Sequence, residues 1–160
     1  MESQIENIEP QIYNTPLEIG LRTLIILNKV GEGGADIEKL MYWDYLSLNT
    51  YDIGGAESIH APTPNRGVQV YARKDLIQKG ISLLISKELV DFKTNESGFC
   101  YEINKTGSTF LEYFSTSYFK ELSIRVEWVI KKLGNYSIEE LRKYISSNLK
   151  KWGSEFLDEI

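Results

Sequence analysis

The sequence predicts a mainly α-helical fold with a small β wing, and three stretches carry that expectation. Residues 17–30 and 37–51 are two apolar segments with helical spacing, divided by a glycine cluster. Residues 68–86 form a third helical segment, with apolar side chains at Val70, Leu76, Ile77, Ile81, Leu83, Leu84 and Ile85. Residues 89–92 and 99–103 then read as strands joined by Thr94-Asn95-Glu96-Ser97-Gly98, where Asn and Gly accept positive φ at little steric cost. A helix followed by a two-stranded wing is the carboxyl half of a winged-helix unit. The expected organisation is an N-terminal segment (1–15), a winged-helix core (16–114) and a C-terminal helical extension (115–160).

Each element has its own local signal. Asn14 or Thr15 can cap a helix with Pro16 at its first position, where a missing N–H costs nothing. The run LEIGLRTLIILNKV is apolar around most of its circumference, so this helix is expected at the centre of the core. Gly31-Glu32-Gly33-Gly34 stops it. No strand precedes these glycines and no G-x-x-x-x-G-K-[ST] pattern accompanies them, so they read as a C-cap and turn rather than a phosphate cradle. Asp36 caps the next helix. On its apolar face stands Asp44, a carboxylate too costly to bury alone, for which Arg22 or Arg66 is the expected partner.

The loop over 52–67, with three glycines and two prolines, is long enough to be functional or to form an interface. Beyond the wing, a short helix is expected over 108–114, with Phe110, Leu111 and Phe114 clustered. A longer one follows over 117–133, with a stripe of Phe119, Leu122, Val126, Val129, Ile130 and Leu133. Ser137 and Glu140 make a capping box that opens a last helix reaching about Trp152. Its Ile138, Leu141, Ile145, Leu149, Trp152 and Phe156 form a coiled-coil-type seam. Such a seam serves either an antiparallel pair with the preceding helix over the core or a partner's helices.

Net charge is −5 and the pI about 5.0, which argues against a protein that binds mainly by covering phosphates. The one positive block is 66–93, with six basic and three acidic residues. The single cysteine, Cys100, cannot form an intramolecular disulfide and reads as a buried structural thiol in a reducing cytoplasm. No signal-peptide pattern and no run of membrane-spanning length appears, so a cytoplasmic protein is expected.

No catalytic constellation emerges. There is no Cys/His pair at motif spacing, no nucleophile elbow and no metal signature, and His60 is the sole histidine. The expectation is a protein that is not an enzyme and needs no cofactor. Two binding readings remain. In one, the basic block contacts DNA: Arg66, Arg73, Lys74 and Lys79 on phosphates, Gln69, Tyr71 or Gln78 near base edges, and Lys93 on the wing. In the other, the chain is a protein-binding adaptor. Its interface would use the loop residues His60, Pro62, Pro64 and Asn65, the aromatics Tyr113, Phe114, Tyr118, Phe119 and Trp128, and Leu149 and Trp152 of the seam.

The runs YNTPLEIGLR (13–22), LIIL (24–27), MYWDYL (41–46), HAPTPNR (60–66) and VYARKDLIQKGISLLISKELV (70–90) are similar to the small middle component of bacterial ABC-three-component systems. The resemblance spans roughly residues 13–133, with the tail after about Gly134 poorly covered. These systems combine an SMC-like ATPase, a variable effector and this small subunit, and resemble Lamassu-type antiphage and anti-plasmid defence. The resemblance implies a non-catalytic subunit bridging ATPase and effector, with DNA met through the complex. Under it, His60, Pro62, Pro64, Asn65 and Arg66 form a clasp, with Asp44 pairing to Arg66. The other reading of the same residues is a winged-helix DNA-binding regulator.

Overall fold

The computed structural model describes residues 15–59, 66–96 and 98–152, and within them the chain is mainly helical with one small antiparallel sheet. The segment 1–14, the loop residues His60, Pro62, Pro64 and Asn65, and Phe156 of the seam lie outside the described residues. The side chain of Arg66 does too.

Helix α1 (Pro16–Val30) starts as its sequence requires. Thr15 is the cap, its hydroxyl accepting the Glu18 N–H at 3.2 Å. Ile19, Gly20 and residues 22–27 are buried, which puts α1 inside the core as expected. Gly31, at φ +73, ends the helix and returns its N–H to the Leu27 carbonyl at 2.9 Å. The next residues make a one-residue strand: Ala35 exchanges backbone bonds of 2.9 and 2.8 Å with Tyr101. Gly34 allows that approach, because it sits at φ +61 and any Cβ there would run into the Tyr101 carbonyl.

Asp36 caps α2 (Ile37–Leu48), accepting the Lys39 N–H at 2.8 Å. Every residue from Leu40 to Leu48 is buried, so α2 shares the centre with α1. It meets α1, α3 (Arg73–Ser86), α5 (Ser117–Leu133) and α6 (Ile138–Asn148). A continuous helix over 68–86 does not form. Residues 66–69 make a 3₁₀ turn, and α3 begins only at Arg73, with no side-chain cap. The cause lies in the tertiary fold: Gly67 is pressed against the Leu149 carbonyl and donates toward the Trp152 carbonyl at 3.5 Å. The chain must therefore turn before helical bonding can settle. Helices α1 and α3 cross where Gly20 faces Gly80, and a Cβ on Gly80 would stand 3.0 Å from the Gly20 nitrogen.

Glu88, at φ +59, reverses the chain after α3, and the Asn104 side chain donates to its carbonyl at 2.8 Å. Strands β1 (Val90–Asn95) and β2 (Gly98–Ile103) pair antiparallel from Val90 opposite Ile103 to Asn95 opposite Gly98. Pairing thus runs further than expected, and the five-residue loop shrinks to two residues. Gly98, at φ +119, supplies the conformation that closes it. Cys100 is buried in β2 as a free thiol.

Helix α4 (Lys105–Leu111) starts three residues before the expected Ser108, because Asn104 caps it through the Gly107 N–H at 2.9 Å. Helix α5 matches its expected bounds, capped by Thr116. The Ser137–Glu140 capping box opens α6, which ends at Asn148, ahead of Trp152. The two C-terminal helices do not lie mainly on each other. Helix α5 crosses α1 and α2, and α6 packs chiefly on α2. One buried cluster runs from Ile19 to Trp152. No helix among the described residues is long and apolar enough to cross a membrane.

Candidate interaction surface

The charged residues divide into an inward set and an outward set. Inward lies a triad on three helices. The Arg22 guanidinium reaches Asp44 with Nε to Oδ1 at 2.9 Å and a second N–H to Oδ2 at 3.3 Å. From α3, Arg73 donates to the same Oδ2 at 2.7 Å. Arg22 and Asp44 are each 1% exposed, and the Arg73 side chain 15%. Glu18 stands 3.9 Å from Arg22 and accepts the Tyr118 hydroxyl at 3.1 Å, so the network runs from α5 through α1 and α2 to α3. Burial raises the Asp44 pKa, but the two guanidiniums outweigh it and hold the carboxyl below its ordinary value.

Among the described residues two cations meet Asp44. Arg22 is one of them. The other cation is Arg73, which stood in the expected DNA-contact set; it is turned inward on Asp44 and over the Tyr45 ring, 5.8 Å from its centroid. An Asp44–Arg66 pair rests on a side chain outside the described residues. Of the remaining basic candidates, Lys74 and Lys79 are exposed on α3. Lys93 is exposed on the wing but donates to Glu102 at 3.0 Å, a bond that raises its pKa. Glu102 also accepts the Gly33 N–H. The candidate phosphate contacts seen in the structure therefore reduce to the exposed Lys74 and Lys79 and the paired Lys93.

The expected partner residues separate in the same way. Trp152 is buried against Tyr45, ring centroids 5.2 Å apart, and Leu149 is half-buried on the core. The α6 seam thus covers its own α2 through Leu141, Ile145 and Trp152. Half-buried Trp128 lies under the Lys132 ammonium, 5.1 Å from the ring, and against Gly55. Tyr118 and Phe119 are half-buried as well. Phe114 stacks on Phe119 at 5.3 Å and meets Phe110 edge-on at 5.2 Å. Among the described partner candidates, Tyr113, 82% exposed, is the one that stands fully in solvent.

A second aromatic group was not singled out from the sequence. Phe92 and Phe99 on the wing are 51% and 65% exposed, with rings 5.2 Å apart, and Tyr101 lies 5.5 Å from Phe92. The signal was the period-two alternation of Phe92 with Thr94 and of Phe99 with Tyr101, which places all of them on one face of the hairpin. Glu38 is another unanticipated tie: it accepts two bonds of 2.7 Å from Arg142 and one of 2.8 Å from Tyr42, which fastens α6 to α2. No group of His, Cys, Asp and Glu among the described residues could hold a metal ion.

Fold and surface together describe a small, mainly helical protein with an ion network turned inward and with Tyr113, Phe92, Phe99, Lys74 and Lys79 turned out. The chain belongs to the family described as ABC-three component (ABC-3C) system Middle Component 2, whose model matches residues 12–155. The match extends past Gly134, so the last helix lies within the family's pattern. No curated protein and no solved structure matches the chain.

Proposed function

We propose that this chain is a non-catalytic adaptor that bridges an SMC-like ABC ATPase and an effector in a cytoplasmic antiphage or anti-plasmid complex of Lamassu type. The observation that carries the reading is the family match over residues 12–155, since a middle component is by description one part of a three-component system. The surface agrees with contact to proteins more than to phosphates: Arg73 is committed to Asp44, whereas Tyr113, Phe92 and Phe99 face solvent. The core reads as a winged helix. Its order is helix, one-residue strand at Ala35, helix, helix, then two strands, which is how such units are wound.

The test is co-expression with the products of the neighbouring genes, followed by size-exclusion chromatography. A joint peak is expected, and a chain that elutes alone in every combination overturns the reading. A DNA-binding regulator is favoured by one observation, the exposure of Lys74 and Lys79 on the third helix of the winged unit. Under it, Lys74→Glu with Lys79→Glu would flatten the salt dependence of DNA binding by about two units of slope. The adaptor reading expects the isolated chain to show no such tight, salt-sensitive binding.

A further inference from the structure

Among the described residues no strand lies on the outer edge of β1, and the chemistry of that edge points to a particular occupant. The sheet has two strands, and on the outer side of β2 the single residue Ala35 pairs with Tyr101. Tyr101 gives both its N–H and its C=O to Ala35, so these groups point away from β1. In an antiparallel pair, opposite residues either exchange both bonds or turn both groups outward. Phe92 stands opposite Tyr101, so its own N–H and C=O point out along the outer edge of β1. Residues 91–95 on that strand are all exposed. Such an edge is a template for a further strand.

We infer that this edge pairs with the same edge of a second copy of the chain, antiparallel and centred on Phe92. The charges select that register. Centred on Phe92, a two-fold places Asp91 opposite Lys93 of the second copy, twice, and Val90 opposite Thr94. Centring one residue earlier sets Asp91 against Asp91, and one later sets Lys93 against Lys93; like charges directly opposite are unfavourable. Side-chain alternation completes the match. Asp91, Lys93 and Glu102 share one face of the hairpin, so each lysine would lie between its own Glu102 and the incoming Asp91. On the other face, the two Phe92 rings would join the Phe99 and Tyr101 rings already packed beside them into one aromatic patch. The register makes each copy complementary to itself, as a two-fold interface requires.

The test is sedimentation velocity on the full chain across the micromolar range, with circular dichroism confirming that each variant folds. A concentration-dependent dimer is expected. Asp91→Lys alone, or Lys93→Asp alone, sets like charges opposite each other at two places and should weaken association roughly tenfold or more. The double exchange, Asp91→Lys with Lys93→Asp, restores the complementary pairs and should restore the dimer. A chain that stays monomeric throughout overturns the inference. So does a dimer that the single reversals leave unchanged, because its interface would lie elsewhere.

Discussion

Replacing Asp44 by alanine is the sharpest perturbation the buried network allows. The variant strands two guanidiniums at once. Arg22 is 1% exposed and loses both of its bonds to the carboxylate, at 2.9 and 3.3 Å. Arg73 loses its bond of 2.7 Å, but with 15% exposure it can recover water. Removing one partner of a buried ion pair costs about 3–5 kcal/mol, chiefly because the other charge stays buried without compensation. Glu18, 3.9 Å from Arg22, still compensates part of that charge, which places the loss near the lower end, at about 3 kcal/mol. Against a total stability of about 5–15 kcal/mol, a loss of that size is plain in a urea midpoint. Replacing the pair together, Asp44→Leu with Arg22→Met, should cost far less than the sum of the single changes. The linkage to pH has a definite sign. The folded Asp44 carboxyl titrates below its ordinary value, so its contribution is complete above the unfolded pKa of about 3.9 and disappears as pH falls through the lower folded value. Wild type should therefore lose its advantage over Asp44→Asn progressively as pH falls below about 3.9. An Asp44→Ala loss below about 1 kcal/mol, the scale of a surface pair, would refute the claim that the triad is a desolvated unit.

Other consequences can be read from the packing. Gly80→Leu should destabilise by about 1–3 kcal/mol in urea titration, because its Cβ would stand 3.0 Å from the Gly20 nitrogen and 3.1 Å from the Ile19 Cγ2 methyl. Gly34→Ala should lower the thermal midpoint and speed amide exchange at Tyr101, since that amide donates to Ala35. Arg142→Ala should leave the global midpoint nearly unchanged while raising hydrogen exchange in α6, because its bonds to Glu38 are exposed and local. Tyr113→Ala should leave stability intact and, under the adaptor reading, weaken capture of the proposed ATPase or effector in a pull-down, given its 82% exposure.

The parts of the fold legible in the sequence were those governed by chemistry within one turn. Thr15, Asp36 and the Ser137–Glu140 box each bond an amide three residues on, so their signal is local. The helix over 68–86 failed for the opposite reason: Gly67 is held by Leu149 and Trp152, some eighty residues away, and nothing nearby announces it. A charge on an apolar helix face, Asp44, did signal a buried partner, and Arg22 was one of the two candidates for it. That Arg73 joins them depends on how α3 crosses α1 and α2, which the α3 sequence alone does not encode. Periodicity likewise defined the α6 seam without saying what it covers. Leu141, Ile145 and Trp152 turn out to cover the chain's own α2.

The most direct test of the bridging role is an omission experiment with affinity-tagged ATPase, the effector and this chain. Bridging predicts that the effector is recovered on the tagged ATPase when this chain is present and lost when it is left out. Equal recovery of the effector in both cases would contradict it.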